Sequence, residues 1–271
     1  MTIILGLNAF HADSSAAVCR DGRLIGAAEE ERFRRVKHWA GFPKEAIAYC
    51  LREAGAQLSD VDHVAVNQNS RANLLRKIGY FLTQRPSPAL MVRRLRNRRR
   101  RATIRTLVAR AFPGQELRAK VHSVEHHLAH LSSAFSVSPF DEAAIISVDG
   151  FGDFSSAAWA SGTEREIKIH GRVYFPHSLG VFYQALTQYL GFPHYGDEYK
   201  MMGLAAYGGA AFLPAMRKIV CLEPDGSFRL DLKFFRRHDY KAACRIVPKG
   251  DDGGFDFCVA VNGRNDWRDL E

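Results

Sequence analysis

The sequence predicts an α/β fold made of two related halves, the second of them incomplete. Short apolar strands alternate along the chain with stretches whose apolar residues follow the helical period. The opening pattern of strand, polar turn and strand returns after a shift of 141 residues, which places residues 4–8 on residues 145–149. The same shift puts the run Ser-Ser-Ala-Ala at residues 14–17 on an identical run at residues 155–158. A match in register over all three parts indicates an internal duplication.

Each half therefore opens with a strand, a polar turn and a second strand. In actin-like ATPases, two such turns face each other across a cleft and hold the phosphates of a nucleotide. The sequence thus favours an actin-like, ribonuclease-H-like duplicated ATPase fold. We expect the first half at residues 1–140 and the start of the second half at residues 141–238. Residues 239–271 form a divergent tail without a clear period, which we interpret as a truncation or an altered reading frame.

Local signals divide the first half into short elements. Strands are predicted at residues 3–8, 16–20 and 23–29, and the last two are joined by Asp-Gly, a strong hairpin signal. Residues 43–54 are predicted to form a helix that buries one apolar stripe, consisting of Ala46, Ile47, Cys50 and Leu51. A strand at 61–66 leads to a helix capped by Ser70 and ending near Pro86. An arginine-rich helix at 88–112 and a strand at 120–124 complete this half.

The second half begins after a predicted helix at residues 126–135. Strands are expected at 143–148 and 167–174, and Ser178 is expected to cap a helix that runs through Leu190. The apolar residues of that helix predicted to point inward are Leu179, Phe182, Leu186 and Leu190. A further helix is predicted at 214–222, and a last element at 230–235.

Composition and charge describe a globular chain with one basic region. The net charge is +9, but seven arginines fall between residues 93 and 101, so the rest of the chain carries only +2. This region lacks interleaved aromatic residues, which favours a solvated helix face over a nucleic-acid partner. Five scattered cysteines outside any CxxC pair fit a reducing compartment. No apolar run can span a bilayer and no signal peptide is visible, so we expect a cytoplasmic protein without a membrane partner.

Two histidines are candidate metal ligands. His126 and His130 are four residues apart, so on a helix they lie on the same face and can reach one ion. The spacing alone shows no third ligand. An ordinary pair of partly buried, hydrogen-bonded histidines therefore stays open as an alternative.

A candidate phosphate-binding turn follows the next strand. The run Asp149-Gly150-Phe151-Gly152-Asp153 comes directly after apolar residues 143–148. Glycines there allow backbone amides to approach a phosphate, which makes Asp149, Gly150, Gly152 and Asp153 candidate nucleotide-binding residues. Asp and Gly also serve the geometry of hairpins, so a purely structural turn is the alternative.

Five ordered motifs resemble the signatures of ATP-dependent carbamoyltransferases, which include nodulation enzymes and antibiotic O-carbamoyltransferases. The motifs are FHADSSAA, AAEEERFRRVKHWAGFP, EHHLAH, SVDGFGD and GDEYKMMGLAAYG, and the resemblance covers residues 3–238. It implies an actin-like domain followed by a domain that forms carbamoyl adenylate from carbamoyl phosphate and ATP. The carbamoyl group then passes to a hydroxyl of a small-molecule or glycan acceptor. The resemblance also allows a homodimer.

The resemblance assigns roles to particular residues. It implies His126 and His130 as ligands of a divalent metal, iron in type, with a third ligand in a later motif that this chain does not contain. It implies that His11 and Lys37 are catalytic, at the carbamoyl and acceptor site. His11 in a turn can instead cap a backbone group, and Lys37 in a charged run can instead be solvated. Because the adenylate-forming domain is not recognisable, we expect this chain alone not to complete the reaction.

Two other functions stay open from the residues. A protein similar to the tRNA threonylcarbamoyl transferase also combines an actin-like fold with a histidine–metal site, and the arginine-rich helix would then contact tRNA. A catalytically inert subunit that binds a nucleotide or a partner is the non-enzymatic alternative.

Overall fold

The computed structural model describes residues 1–9, 13–84, 103–164 and 166–235, together with the backbone of two later strands. These residues form two compact units, which divide between Glu125 and His126. The boundary expected at residue 140 rests on the duplication and stays a prediction. His11 and residues 88–102 of the predicted arginine-rich helix lie outside the described residues.

A five-stranded sheet forms the centre of the first unit, with strand order β3-β2-β1-β4-β5. The strands are β1 (Ile3–Asn8), β2 (Ser15–Arg20), β3 (Arg23–Glu29), β4 (His63–Val66) and β5 (Lys120–Ser123). Strands β1 to β3 pair antiparallel, whereas β4 runs parallel to β1 and β5 runs parallel to β4. This order, an antiparallel meander extended by two parallel strands, is the ribonuclease-H-like one. The predicted fold class is therefore confirmed.

Helices connect and cover these strands. In the described part of the first unit they are α1 (Glu31–Arg34), α2 (Lys44–Glu53), α3 (Leu74–Gln84) and α4 (Ile104–Ala111). Helix α2 packs against β2 and β3, and it buries the four residues of the predicted stripe. Each of these four side chains is at most 6% exposed, so the hydrophobic core forms where the helical period predicts it.

The predicted beginning of α3 at Ser70 was wrong. The helix begins at Leu74, because Asn73 has a left-handed backbone with φ of 54° that a right-handed helix cannot contain. Helix α4 begins after Thr103, whose side chain accepts the amide hydrogen of Thr106.

The second unit opens with α5 (His126–Phe135) and a three-stranded antiparallel sheet of order β6-β7-β8. The sheet contains β6 (Glu142–Gly152), β7 (Ser155–Thr163) and β8 (Glu166–Tyr174). Three helices follow, with two hairpins after them: α6 (Leu179–Tyr189), α7 (Glu198–Ala205), α8 (Leu213–Ile219), β9 (Val220–Leu222) with β10 (Phe228–Leu230), and β11 (Arg245–Lys249) with β12 (Gly254–Cys258). Among the described residues, no helix is both long and apolar enough to cross a bilayer.

Strand pairing supports the predicted duplication. In the first unit Leu7 pairs with Ala16, and the 141-residue shift turns this pair into Val148 and Ala157, which are also paired. The register of the two hairpins is therefore the same up to the turn. Beyond Val148 the second hairpin is irregular and resumes pairing between Gly152 and Ser155.

Two details of the second unit differ from the predictions. The first concerns α6, which Ser178 caps as predicted, because its hydroxyl accepts the amide hydrogen of Val181. The helix ends at Tyr189, so Leu190 does not lie on the buried face and is 55% exposed instead of pointing inward. Helix α8 ends at Ile219, because the last three residues of the predicted helix pair as strand β9.

Candidate metal and nucleotide site

Helix α5 places the imidazoles of His126 and His130 side by side. Their Nε2 atoms are 3.1 Å apart, and the ring centroids are 4.7 Å apart. The spacing of four residues therefore does bring both rings to one face, as the helical period requires. His126 is 8% exposed, whereas about half of the His130 side chain, 49%, is open to solvent.

A carboxylate from β6 meets this pair. Asp149 Oδ2 lies 2.8 Å from His126 Nε2 and 3.5 Å from His130 Nε2. The three ligand atoms all lie within 4.8 Å of one another. The sequence had assigned Asp149 to phosphate binding and had not predicted it as a third ligand, because 19 residues or more separate it from either histidine and no local period connects them. Only the packing of α5 on β6 reveals the group.

The geometry of this group fits a divalent metal ion. Two ligands at right angles about 2.1 Å from one ion lie about 3 Å apart. The edges of the triangle formed by the three atoms are 2.8, 3.1 and 3.5 Å, which is close to that value. Two imidazoles and one carboxylate with open positions are the ligands typical of non-haem ferrous sites. The residues present therefore fit the metal that the resemblance implied.

Electrostatics favour a negative charge on Asp149. Hydrogen bonds from His126 and then His130 hold the pKa of the Asp149 carboxyl well below its usual range, and the Gly150 amide contributes in the same direction against the opposing effect of burial. The carboxylate is consequently ionised at physiological pH. It can bind a cation without first losing a proton.

Neighbouring groups fix the position of Asp149. Its Oδ1 accepts the backbone amide hydrogen of Gly150 at 2.6 Å, which leaves Oδ2 directed at the imidazoles. Its backbone carbonyl accepts the Ser178 hydroxyl at 3.1 Å, and Ser178 also caps α6. Helix α6 also approaches closely, since a Cβ at Gly180 would lie 2.7 Å from the Asp149 carbonyl group. Contacts from Gly150 and from the start of α6 thus hold Asp149 in position before any ion binds.

The predicted phosphate turn is a tight hairpin. Asp153 and Phe154 both have positive φ, 49° and 79°, as the primed two-residue turns require. The Asp153 carboxylate accepts the backbone amide hydrogen of His126 at 3.0 Å, so it stabilises the start of α5. Gly152 lies against the ring of His126, whereas a Cβ at Gly150 would meet nothing within 4 Å. The phosphate-binding role of these residues stays a prediction.

The third histidine of the helix has a different environment. His127 is completely buried, and its Nδ1 lies 2.9 Å from the hydroxyl of Ser147 on β6. It therefore faces the sheet rather than the group formed by His126, His130 and Asp149. We assign it to packing.

In the first unit, Lys37 lies exposed on a turn after α1. Beside it, His38 Nδ1 is 2.8 Å from Asp13 Oδ1, and the His38 amide donates to Glu31 at 3.0 Å. Ligand atoms of Asp13, Glu31 and His38 lie within 4.8 Å of one another, a group that the sequence had not predicted. No local period indicates it, because Asp13 lies just before β2, Glu31 begins α1 and His38 lies on the turn after α1.

The fold and the group on α5 and β6 define an actin-like α/β protein with a candidate metal centre. The chain belongs to the carbamoyltransferase N-terminus family, whose model matches residues 3–248. The match therefore continues past residue 238, where the sequence motifs had ended the resemblance. This membership confirms the resemblance drawn from the five motifs.

Two relatives and one solved structure are similar to this chain. The chain is 36% identical over 247 residues to protein sll1178 of Synechocystis sp., which covers 87% of this chain and 40% of that protein. It is 37% identical over 211 residues to nodulation protein NolNO of Sinorhizobium fredii, which covers 75% of this chain and 29% of that protein. The chain thus spans less than half the length of these relatives. Among solved structures, YeaZ from Pseudomonas aeruginosa is similar over 65% of this chain and 68% of that chain, with 17% identity and a TM-score of 0.35.

Proposed function

We propose that this chain is the N-terminal part of a carbamoyltransferase that uses ATP and carbamoyl phosphate. The carbamoyl group would pass through carbamoyl adenylate to a hydroxyl of a small-molecule or glycan acceptor. Family membership supports the transferase class. The observation that supports a metal site most directly is the close approach of the ligand atoms of His126, His130 and Asp149 to one another.

In this proposal, the Nε2 atoms of His126 and His130 and an oxygen of Asp149 hold one divalent ion, with iron the best match to these ligands. A bound ion would supply a Lewis acid for a phosphate oxygen of the nucleotide. The side chains of His130 and Asp149 are 49% and 40% exposed, which leaves them accessible to that oxygen, whereas His126 is buried. The open space over Gly150 lies at the same strand end.

The protein contributes orientation and charge. Asp149 brings a permanent negative charge, and the contacts of Gly150 and Ser178 keep it in place. Asp153 accepts the backbone amide hydrogen of His126 and so stabilises the start of α5, the helix that carries both imidazoles. Such preorganisation means that binding an ion or a nucleotide requires little rearrangement.

In the transfer step, two residues, His11 and Lys37, would have catalytic roles. His11 would take the proton of the acceptor hydroxyl as its oxygen forms a bond to the carbamoyl carbon. The bond from that carbon to the phosphate oxygen breaks, and AMP leaves with the electron pair. Lys37 would balance the charge on the departing phosphate, for which its exposed position on a turn is suitable. The resemblance supports both roles.

Calorimetric titration of the purified chain tests this proposal. We expect one Mn²⁺ or, without oxygen, one Fe²⁺ to bind per chain, and ATP to bind more tightly when the metal is present. Asp149→Asn should weaken metal binding by about tenfold or more, because it removes a charged ligand. His170→Gln is the control, since His170 is exposed on β8 and contacts Ser161 instead. A chain that binds neither metal nor ATP would refute the proposal and favour the inert alternative.

A further inference from the structure

Helix α3 has an open apolar face. In the part of the chain that the structure describes, Leu74, Leu75, Ile78 and Leu82 are 53%, 85%, 46% and 72% exposed. These residues form one stripe, because helical positions three and four apart are neighbours. We call them the α3 aliphatic face. Single exposed leucines are common on proteins, but four adjacent ones form a patch that usually marks an interaction site.

Comparison with α2 shows what is unusual about this face. Both helices are amphipathic and similar in length, with 10 residues in α2 and 11 in α3. Helix α2 buries all of its apolar stripe in the core of the first unit. Helix α3 presents an equally continuous stripe to solvent. Its sequence pattern therefore does not serve the described core.

The stretch of sequence that contains α3 is strongly positive. No Asp or Glu occurs between Asp62 and Glu116, a stretch of 53 residues that contains 13 Lys or Arg. This local charge of +13 exceeds the net charge of +9, so the rest of the chain is negative overall. Within the described residues, Arg71 and Arg76 are exposed next to or on α3. Arg76 and Thr83 lie on the side of the helix away from the aliphatic face.

We propose that the α3 aliphatic face binds the surface of a membrane that carries anionic lipids. A short amphipathic helix in a basic stretch lies in the plane of such a surface, with its apolar face in the acyl boundary and its cations at the headgroups. A nucleic acid would satisfy the cations but leave four aliphatic side chains in water, because nucleic acids are held by cations and stacked aromatic rings. A second copy of the chain would bury the leucines but bring two positive stretches together. An anionic lipid surface satisfies both features.

This inference is independent of carbamoyl transfer. It differs from the expectation, based on the lack of a spanning segment, that the chain has no membrane partner. A helix of 11 residues is only about 16 Å long, too short to cross a bilayer. Binding on the surface has no such length requirement.

Vesicle flotation of the whole chain tests the inference. We expect the chain to float with phosphatidylcholine vesicles that contain phosphatidylglycerol, to bind pure phosphatidylcholine about tenfold more weakly, and to be released by high salt. Leu75→Glu should lower binding by about tenfold or more, since it places a charge in the apolar boundary. Thr83→Glu adds the same charge to the same helix on its opposite side, and it should keep more binding than Leu75→Glu.

Several results would overturn the inference. These are no binding to either kind of vesicle, equal binding by Leu75→Glu and the wild-type chain, or equal losses in the two variants. A dimer in sedimentation equilibrium that Leu75→Glu dissociates would assign the face to a second copy of the chain. Tighter binding to single-stranded RNA than to vesicles, unchanged in Leu75→Glu, would assign the region to nucleic acid. Because Leu75 is exposed, this variant is expected to fold, which circular dichroism can verify.

Discussion

The α-carbon of Gly152 lies so close to His126 that a methyl group on it would overlap the imidazole ring. His126 keeps its 2.8 Å contact with Asp149 only because position 152 has no side chain. The glycine that the sequence suggested for phosphate binding thus has a second reason to be present. The missing side chain at Gly152 allows the imidazole of His126 on α5 to pack directly against the end of β6.

The first prediction follows from this close approach. Gly152→Ala should lower the free energy of unfolding by about 1–3 kcal/mol, because the added methyl group displaces the ring in a packed site. The same displacement should weaken Mn²⁺ binding by about tenfold or more. Urea denaturation and metal titration measure the two effects. In Gly150→Ala the new methyl group meets nothing within 4 Å, so stability should change far less. Unaltered metal binding in Gly152→Ala would contradict the proposed ligand set.

The second prediction concerns Asp153 and the start of α5. Asp153→Asn keeps a side chain that tolerates the left-handed backbone, but it loses the negative charge near the helix N-terminus. Asp153→Ala loses both the acceptor and this tolerance. The expected order of stability is therefore wild type, then Asn, then Ala, with Ala lower by about 1–2 kcal/mol. Thermal or urea denaturation measures this order, and an Ala variant as stable as the wild type would contradict the capping role.

The third prediction concerns a buried carboxylate in the first unit. Glu30 is completely buried, and it accepts from Arg34 at 2.7 Å and from the amide of Ala46 in α2 at 2.8 Å. Glu30→Ala leaves that amide without an acceptor, which should cost about 1–3 kcal/mol of unfolding free energy. The neighbouring Glu29→Ala is the matched control. Glu29 is 43% exposed and only 3.7 Å from the exposed Arg32, so its loss should cost about 0.5 kcal/mol or less. Equal effects of the two variants in urea denaturation would show that burial of Glu30 does not matter.

The fourth prediction is a dependence of stability on pH. Burial, followed by the charge of Arg229, lowers the pKa of His177 below its ordinary value, and His177 Nδ1 accepts the amide hydrogen of Leu230 at 3.1 Å. The unfolded chain therefore binds a proton at this site at a higher pH than the folded chain does. The contribution to stability is complete above pH of about 6.5 and is lost as the pH falls from there toward the folded pKa.

His177→Asn should keep an acceptor for Leu230 while removing this titration. Urea denaturation at pH 7.5, 6 and 5 should then show a smaller loss of stability toward low pH in the variant than in the wild type. His170→Asn changes an exposed histidine and should leave the wild-type dependence intact. Parallel curves for all three proteins would rule out His177 as the source.

Much of the fold is predictable from the sequence because it depends on local periods. The stripe of α2, the cap at Ser178 and the strands on both sides of Asp21 follow from the identities of near neighbours, and the structure confirms them. The errors occurred at ends of elements. The start of α3 depends on the left-handed backbone of Asn73, and the end of α8 depends on pairing of β9 with β10. Neither is visible in a short window of sequence.

The sequence by itself determined the family, the α/β class and the pair of histidines, because motifs and helical spacing are properties of adjacent residues. Only the tertiary structure decided that Asp149 lies beside His126 and His130, that Asp153 stabilises the start of the helix that carries both histidines, and that the apolar stripe of α3 remains exposed. The physical reason is that these facts depend on which surfaces pack together. Packing joins residues that are distant along the chain, and no local pattern records it.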